Sequence, residues 1–268
     1  RNKTDNRFEF VEWDGQNKGD WVKTLDSAFA VINLVGKSVD CIKTPDNIDE
    51  ILKSRVDATE LIGKAMKAVR NPPDMWVQMS TAHIYGDSET RVAHEDSTLG
   101  FGLAPYVGKK WEAAYHESTL KTTRKIVLRT GFVLDKSGGA FVKLKQIVKL
   151  GLGGKVGSGK QGMSWIHMED LNRFVEQAFF DKTIEGIYNL SAPNPVNNSV
   201  FMRSLRKHLK MPIGLSVPLF MLKRSAKLFF KTDYELLVYG RFVTSKRLEA
   251  EKFQFKYPDL DSALNTLI

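Results

Sequence analysis

Cysteine is almost absent from this chain: Cys41 is the only one in 268 residues. A lone thiol cannot close an internal disulfide, and zinc-ribbon clusters need more thiols than this, so disulfide-stapled and zinc-finger classes are set aside. A reducing, cytoplasmic setting is expected. Proline is sparse at 9 and glycine ordinary at 20, which excludes collagen-like and low-complexity chains. No apolar run approaches the roughly 18 residues that cross a bilayer. The first residues are polar with no apolar stretch behind them, so neither a signal peptide nor a membrane span is expected. What is present is a globular composition, 42% hydrophobic and 26% charged, long enough to bury a sizeable core.

Charge is unevenly spread. Of the net +9, residues 201–268 carry +7, from 13 Lys/Arg against 6 Asp/Glu, leaving 27 against 25 in the rest. The densest stretch, 217–231, sets Lys223, Arg224, Lys227 and Lys231 among apolar clusters, as in an amphipathic helix packed on its own domain with a solvated basic face. No zinc finger, aromatic RNA motif or DNA-reading helix accompanies it, so no nucleic-acid partner is expected.

Apolar runs of strand length recur at 8–12, 30–35, 75–80, 125–129 and 164–167, and helical patterns fall between them at 48–69, 106–120, 141–150 and 170–180. Such alternation predicts an α/β fold, a Rossmann-like doubly wound parallel sheet with helices on both faces. Beyond Asn189 the pattern turns mostly helical, at 199–209 and 219–230, punctuated by Pro193, Pro195, Pro212 and Pro218. We therefore expect two regions, 1–190 binding a dinucleotide and a smaller helical region, 191–268, on the substrate side.

Ligands of open parallel sheets sit beyond the carboxyl ends of the strands. Three places there carry chemistry. The first is Asn33, Leu34, Val35 and Gly36, where a glycine lets a ligand approach the backbone. The second is Ser80 and Thr81, followed by His83, Tyr85 and Gly86. The third is the next helix, whose Tyr106 and Lys110 stand four apart on one face. A phenol titrates near 10, so it moves protons at neutral pH only where a cation steadies the phenolate. Lys110 is placed to do that, and Thr81 could hold the reacting oxygen while hydride passes to or from a nicotinamide.

These residues resemble the extended short-chain dehydrogenase/reductase superfamily, and within it the nucleoside-diphosphate-sugar epimerase-like family of the YfcH type. The resemblance rests on the 80–87 motif, on the 25 residues between Thr81 and Tyr106, and on the segments VINLVG (31–36), SRVDAT (54–59) and LRTG (128–131). It extends through the glycine-rich stretch 151–161, WIHMEDL (165–171), KRLE (246–249) and FQF (253–255), with a DUF1731-like C-terminal region. It implies Thr81, Tyr106 and Lys110 as the catalytic set. A cofactor, NADP with NAD as the alternative, would meet Arg1, Asn33, Leu34, Val35, Gly36, Ser80, Lys110, Arg129 and Thr130. His83, Tyr85, Lys160 and Gln161 would face a small hydroxyl or carbonyl substrate, such as a nucleotide sugar. A cofactor-binding regulator without catalysis, resembling a cell-division inhibitor and using the basic C-terminal surface, is the alternative function.

The family opens with a strand, a Gly-x-x-Gly-x-x-Gly loop and a helix, and nothing before Phe8 matches them. The expectation is a chain that starts after its cofactor loop and binds a dinucleotide weakly as it stands. Residues 154–160 have P-loop spacing, but Gln161 stands where a Ser/Thr should bind magnesium and a strand follows instead of a helix, so a flexible loop by the substrate cleft is the better reading. His167 and Asp170 are too few for a metal site, and no metal is expected. Asp170 is read as the cap of a helix starting at Leu171.

Overall fold

The computed structural model describes residues 8–220 and 235–268. At its centre four strands run parallel: β1 (Ala30–Asn33), β2 (Met75–Thr81), β4 (Arg124–Thr130) and β8 (Gly186–Leu190), in the order β1-β2-β4-β8. Between β2 and β4 the chain forms the two-residue strand β3 (Val92–Ala93). β2 and β4 are buried on both faces, so they read as near-continuous apolar runs. Their register sets Ser80 beside Arg129 and Thr81 beside Thr130.

Side-chain alternation along β2 sends Trp76 to one face and Met75 and Val77 to the other. On the Trp76 side lie α1 (Pro45–Met66) and α2 (Leu103–Ser118), closing a core with Ile62, Met66, Tyr115 and Val127. α1 starts where Thr44 accepts the N–H of Asn47 and Pro45 supplies a preset first turn. α2 is pinned mid-sheet by Tyr115, whose hydroxyl donates to the Trp76 carbonyl at 2.7 Å and accepts from the Ile126 N–H at 3.0 Å. On the opposite face α4 (Met168–Phe180) packs Leu171, Phe174 and Ala178 against Val77, Ile126 and Leu128.

A second layer lies beside this sheet. Here β5 (Phe132–Leu134) pairs with β7 (Trp165–His167), and α3 (Gly139–Ile147) and α5 (Asn198–His208) surround them. β6 (Gly162–Met163) pairs antiparallel with β9 (Val196–Asn197), and β10 (Phe242–Val243) pairs with β3. The terminal helix Leu260–Leu267 puts Leu260, Ala263, Leu264 and Leu267 into one core with Leu134, Phe141, Trp165 and Phe201. Residues on both sides of position 190 therefore share that core.

The α/β class and its parallel sheet stand as expected, with four corrections of detail. Residues 8–12 form no strand, because alternation makes a strand only where a neighbouring backbone completes the ladder. β8 is a strand that the apolar patterning does not signal. α4 begins at Met168, capped by His167, whose Nδ1 accepts the Glu169 N–H at 3.1 Å. Asp170 is no cap: it is fully buried and accepts the N–H groups of Lys256 and Tyr257 at 2.7 and 2.9 Å. Most of the helix expected at 219–230, with Lys223, Arg224, Lys227 and Lys231, lies outside the described residues, as does Arg1.

Candidate active site

Thr81 ends β2 and starts a single helical turn, Ala82–Tyr85, by accepting the His83 N–H on its hydroxyl at 3.1 Å. Against this turn lies α2, and the contact is close because residue 108 is glycine: a Cβ there would stand 3.1 Å from Ile84. Gly108 faces the turn from between Tyr106 and Lys110, which occupy the outer side of the helix. Tyr106 is 48% exposed and Lys110 is exposed as well. Among the described residues neither side chain has a hydrogen-bond partner, so both are free to meet a ligand.

Directly beneath, Glu112 is buried on the inner side of α2 and joined to Arg129 by a two-pronged ion pair, Nε to Oε1 at 2.9 Å and Nη2 to Oε2 at 2.7 Å. Burial works against the guanidinium charge, but the Glu112 carboxylate outweighs it and raises Arg129 above the ordinary arginine value. Ser80 donates to the same carboxylate at 2.6 Å. The remaining fork nitrogen of Arg129 donates to the Tyr85 hydroxyl at 2.8 Å, and that hydroxyl donates to Asn189 at 2.7 Å. Burial pushes the Tyr85 phenol up, which keeps it a neutral donor. Ser80, Tyr85 and Arg129 are thus spent inside the protein, 4%, 1% and 4% exposed, and do not stand open to cofactor or substrate. Thr130 turns its hydroxyl back to the Leu128 carbonyl at 3.2 Å.

The loop beyond β1 is also partly closed. Asn33 is buried, donating to Thr59 at 3.2 Å and Gln78 at 3.0 Å while accepting the Val35 N–H at 3.0 Å. The space above Gly36 is filled by Arg55: a Cβ on Gly36 would lie 2.9 Å from its guanidinium carbon. Arg55 is held there by the carbonyls of Lys37 and Ile51 and by the Trp111 ring, and burial lowers its pKa. That glycine admits a side chain of the protein itself, contrary to the reading that it clears room for a ligand. Leu34 remains exposed.

A family model described as "Domain of unknown function (DUF1731)" matches residues 217–267. The chain is 33% identical over 221 residues to the epimerase family protein SDR39U1 of Mus musculus, covering 82% of this chain and 74% of that protein. It is 30% identical over 255 residues to the chloroplastic SDR39U1 homolog of Arabidopsis thaliana, covering 94% of this chain and 72% of that one. The chain belongs to the SDR39U1-type epimerase family. The crystal structure of human SDR39U1 with NADPH superposes with a TM-score of 0.83 at 30% identity, over 91% of this chain and 82% of that chain. A nucleoside-diphosphate sugar epimerase from Corynebacterium glutamicum matches with a TM-score of 0.74 at 25% identity, over 94% of this chain and 48% of that one.

Of the substrate-side residues expected in this epimerase-family chain, Lys160 is exposed where the glycine-rich loop runs into β6. Gln161 is not open: it is 4% exposed and donates to the Val156 carbonyl at 3.0 Å beneath the loop. His83 is half-buried, and desolvation of its ring, helped by the nearby Arg241 charge, holds it well below the usual histidine range. The loop itself turns back over β6 and is tied to the segment after Gly86 by Ser158 donating to Glu89 at 2.7 Å. Sequence patterns alone miss Glu112, Arg55 and Arg241. Glu112 has a legible signal, a carboxylate on the helix face that also carries Gly108, Trp111 and Tyr115.

Proposed function

We propose that this chain is a nicotinamide-dependent oxidoreductase or epimerase acting on a small hydroxyl or carbonyl compound of the nucleotide-sugar class. One observation carries the reading: Tyr106 and Lys110 stand open and unpartnered on one face of a helix packed on the turn that Thr81 begins. The donor set fits the nicotinamide end of a dinucleotide, which would be held by the ammonium of Lys110 and the backbone of Leu34 and Val35. Bound there, the nicotinamide supplies the hydride acceptor or donor. The human relative was crystallised with NADPH, which supports NADP here, with NAD the alternative. The likeness to the Corynebacterium nucleoside-diphosphate sugar epimerase supports the substrate class.

As the phenolate, Tyr106 would take the proton of the substrate hydroxyl in the oxidative direction, and as the phenol it would return it in the reverse direction. Lys110, one turn along α2, steadies the phenolate by its charge. The Thr81 hydroxyl, which already accepts the His83 N–H, still has its own proton to donate to the substrate oxygen. A cytoplasmic site of action belongs to the same proposal; among the described residues no helix is long and apolar enough to cross a membrane. The test is absorbance of reduced nicotinamide with the purified chain, at cofactor concentrations high enough to saturate a weak dinucleotide site, across nucleotide sugars and aldehydes. Turnover is expected, and Tyr106→Phe should lower it by about 10²-fold or more with folding unchanged. Full activity in that variant would remove Tyr106 from the chemistry.

A further inference from the structure

Arg241 is 7% exposed and lies where three segments cross. Its N–H donates to the Gly162 carbonyl at 2.9 Å, and its own carbonyl accepts from the Ser164 hydroxyl at 2.8 Å. The preceding residue, Gly240, donates its N–H to Asp87 at 2.7 Å, beyond the turn that Thr81 begins. The backbone is thus clamped between the glycine-rich loop and the strand-end loop.

Its guanidinium is treated differently from those of Arg124, Arg129 and Arg247. Arg129 meets a carboxylate, Arg124 three carbonyls and Arg247 two carbonyls with a phenol. The Nε of Arg241 is enclosed with no hydrogen-bond partner, and among the described residues no carboxylate forms an ion pair with the fork. The titratable groups that sense it are Asp87, whose carboxylate already serves the Gly240 N–H, and His83. Burial pulls Arg241 down to about 10, which leaves it a cation at neutral pH. A buried, unpaired cation is unfavourable, and an anion is the partner that relieves it.

We infer that Arg241 receives an anionic group of the substrate, a phosphoryl or a carboxylate, on its planar fork. This rests on the proposed function and deepens it: the substrate is anionic, and its charged part lies by His83, two residues from the Thr81 that meets the reacting oxygen. His83, held neutral, has a ring nitrogen that can donate to the same anion. Exposed Lys160, two residues before Gly162, adds positive charge at the end of the glycine-rich loop.

The test uses the full chain and two probes, inorganic pyrophosphate and glucuronate, titrated while the His83 ring signals are followed by NMR, assigned with His83→Gln. Saturable binding of at least one probe is expected, with the His83 midpoint moving up as an anion settles beside it. Pyrophosphate alone would assign the site to a phosphoryl group, glucuronate alone to a sugar carboxylate. Arg241→Gln should weaken binding at least tenfold. Arg206→Gln, which removes the other arginine among the described residues whose buried Nε lacks a partner, should leave it unchanged. If Arg241→Gln does not fold, the wild-type titration still decides: no saturable response at His83 overturns the inference, as does unchanged binding in a folded Arg241→Gln. Nicotinamide turnover without any anion response would overturn this assignment and leave the proposed function standing. Anion binding through Arg241 without turnover would do the reverse.

Discussion

Glu112 shows how one residue can serve the site without touching a substrate. It lies two positions past Lys110 and on the opposite side of the helix, so the pair it makes with Arg129 fixes the rotation of α2 and thereby the outward aim of Tyr106 and Lys110. Both side chains are 9% exposed or less, so the ion pair is screened little by water. Removing one partner strands a buried charge, which typically costs about 3–5 kcal/mol. Glu112→Ala should lose stability on that scale in urea unfolding, whereas Glu112→Leu combined with Arg129→Met should recover most of it. A single variant as stable as the parent would show that the pair is not what holds the helix. Arg55 is a second case: seated over Gly36 and against Trp111, it fills the space over the loop beyond β1.

Among the elements, α4 joins the sheet to the C-terminal tail. Asp170 sits in its first turn, where a carboxylate also suits the helix dipole, and its two oxygens accept the N–H groups of Lys256 and Tyr257. His167 caps the same helix and stacks on the Tyr257 ring with centroids 4.0 Å apart. Asp170→Ala would leave two backbone donors without an acceptor, and hydrogen bonds to a charged group are each worth about 1.5–3 kcal/mol. We expect a loss of about 3 kcal/mol or more, read as a lowered urea midpoint with unchanged slope. A loss under about 0.5 kcal/mol, the scale of a neutral surface change, would mean that the tail is held by its apolar contacts alone. Sequence suggests a cap at Asp170, because an acid near a helix start has that local explanation. Its real partners lie 86 and 87 residues away.

Across the whole molecule, the terminal helix shares one apolar core with residues that precede position 190. Leu264 is fully buried among Trp165, Phe201 and Leu205. Leu264→Ala should cost about 2–5 kcal/mol and lower one cooperative unfolding transition, followed by both circular dichroism and tryptophan fluorescence. Two separated transitions would show that residues 191–268 fold independently. The alternation of strands and helices, the parallel sheet, the helix carrying Tyr106 and Lys110 and the family resemblance are all legible in the chain itself, because periodicity and short motifs are local properties. Which polar residues are open and which are consumed is settled by packing in three dimensions. Tyr106 and Lys110 emerge exposed, while Ser80, Tyr85, Arg129, Asn33 and Gln161 are drawn inward by partners mostly distant in sequence, and Arg241 is buried without one. A side chain's availability is set by what packs against it, and that information is carried by contacts between segments, which no local pattern records.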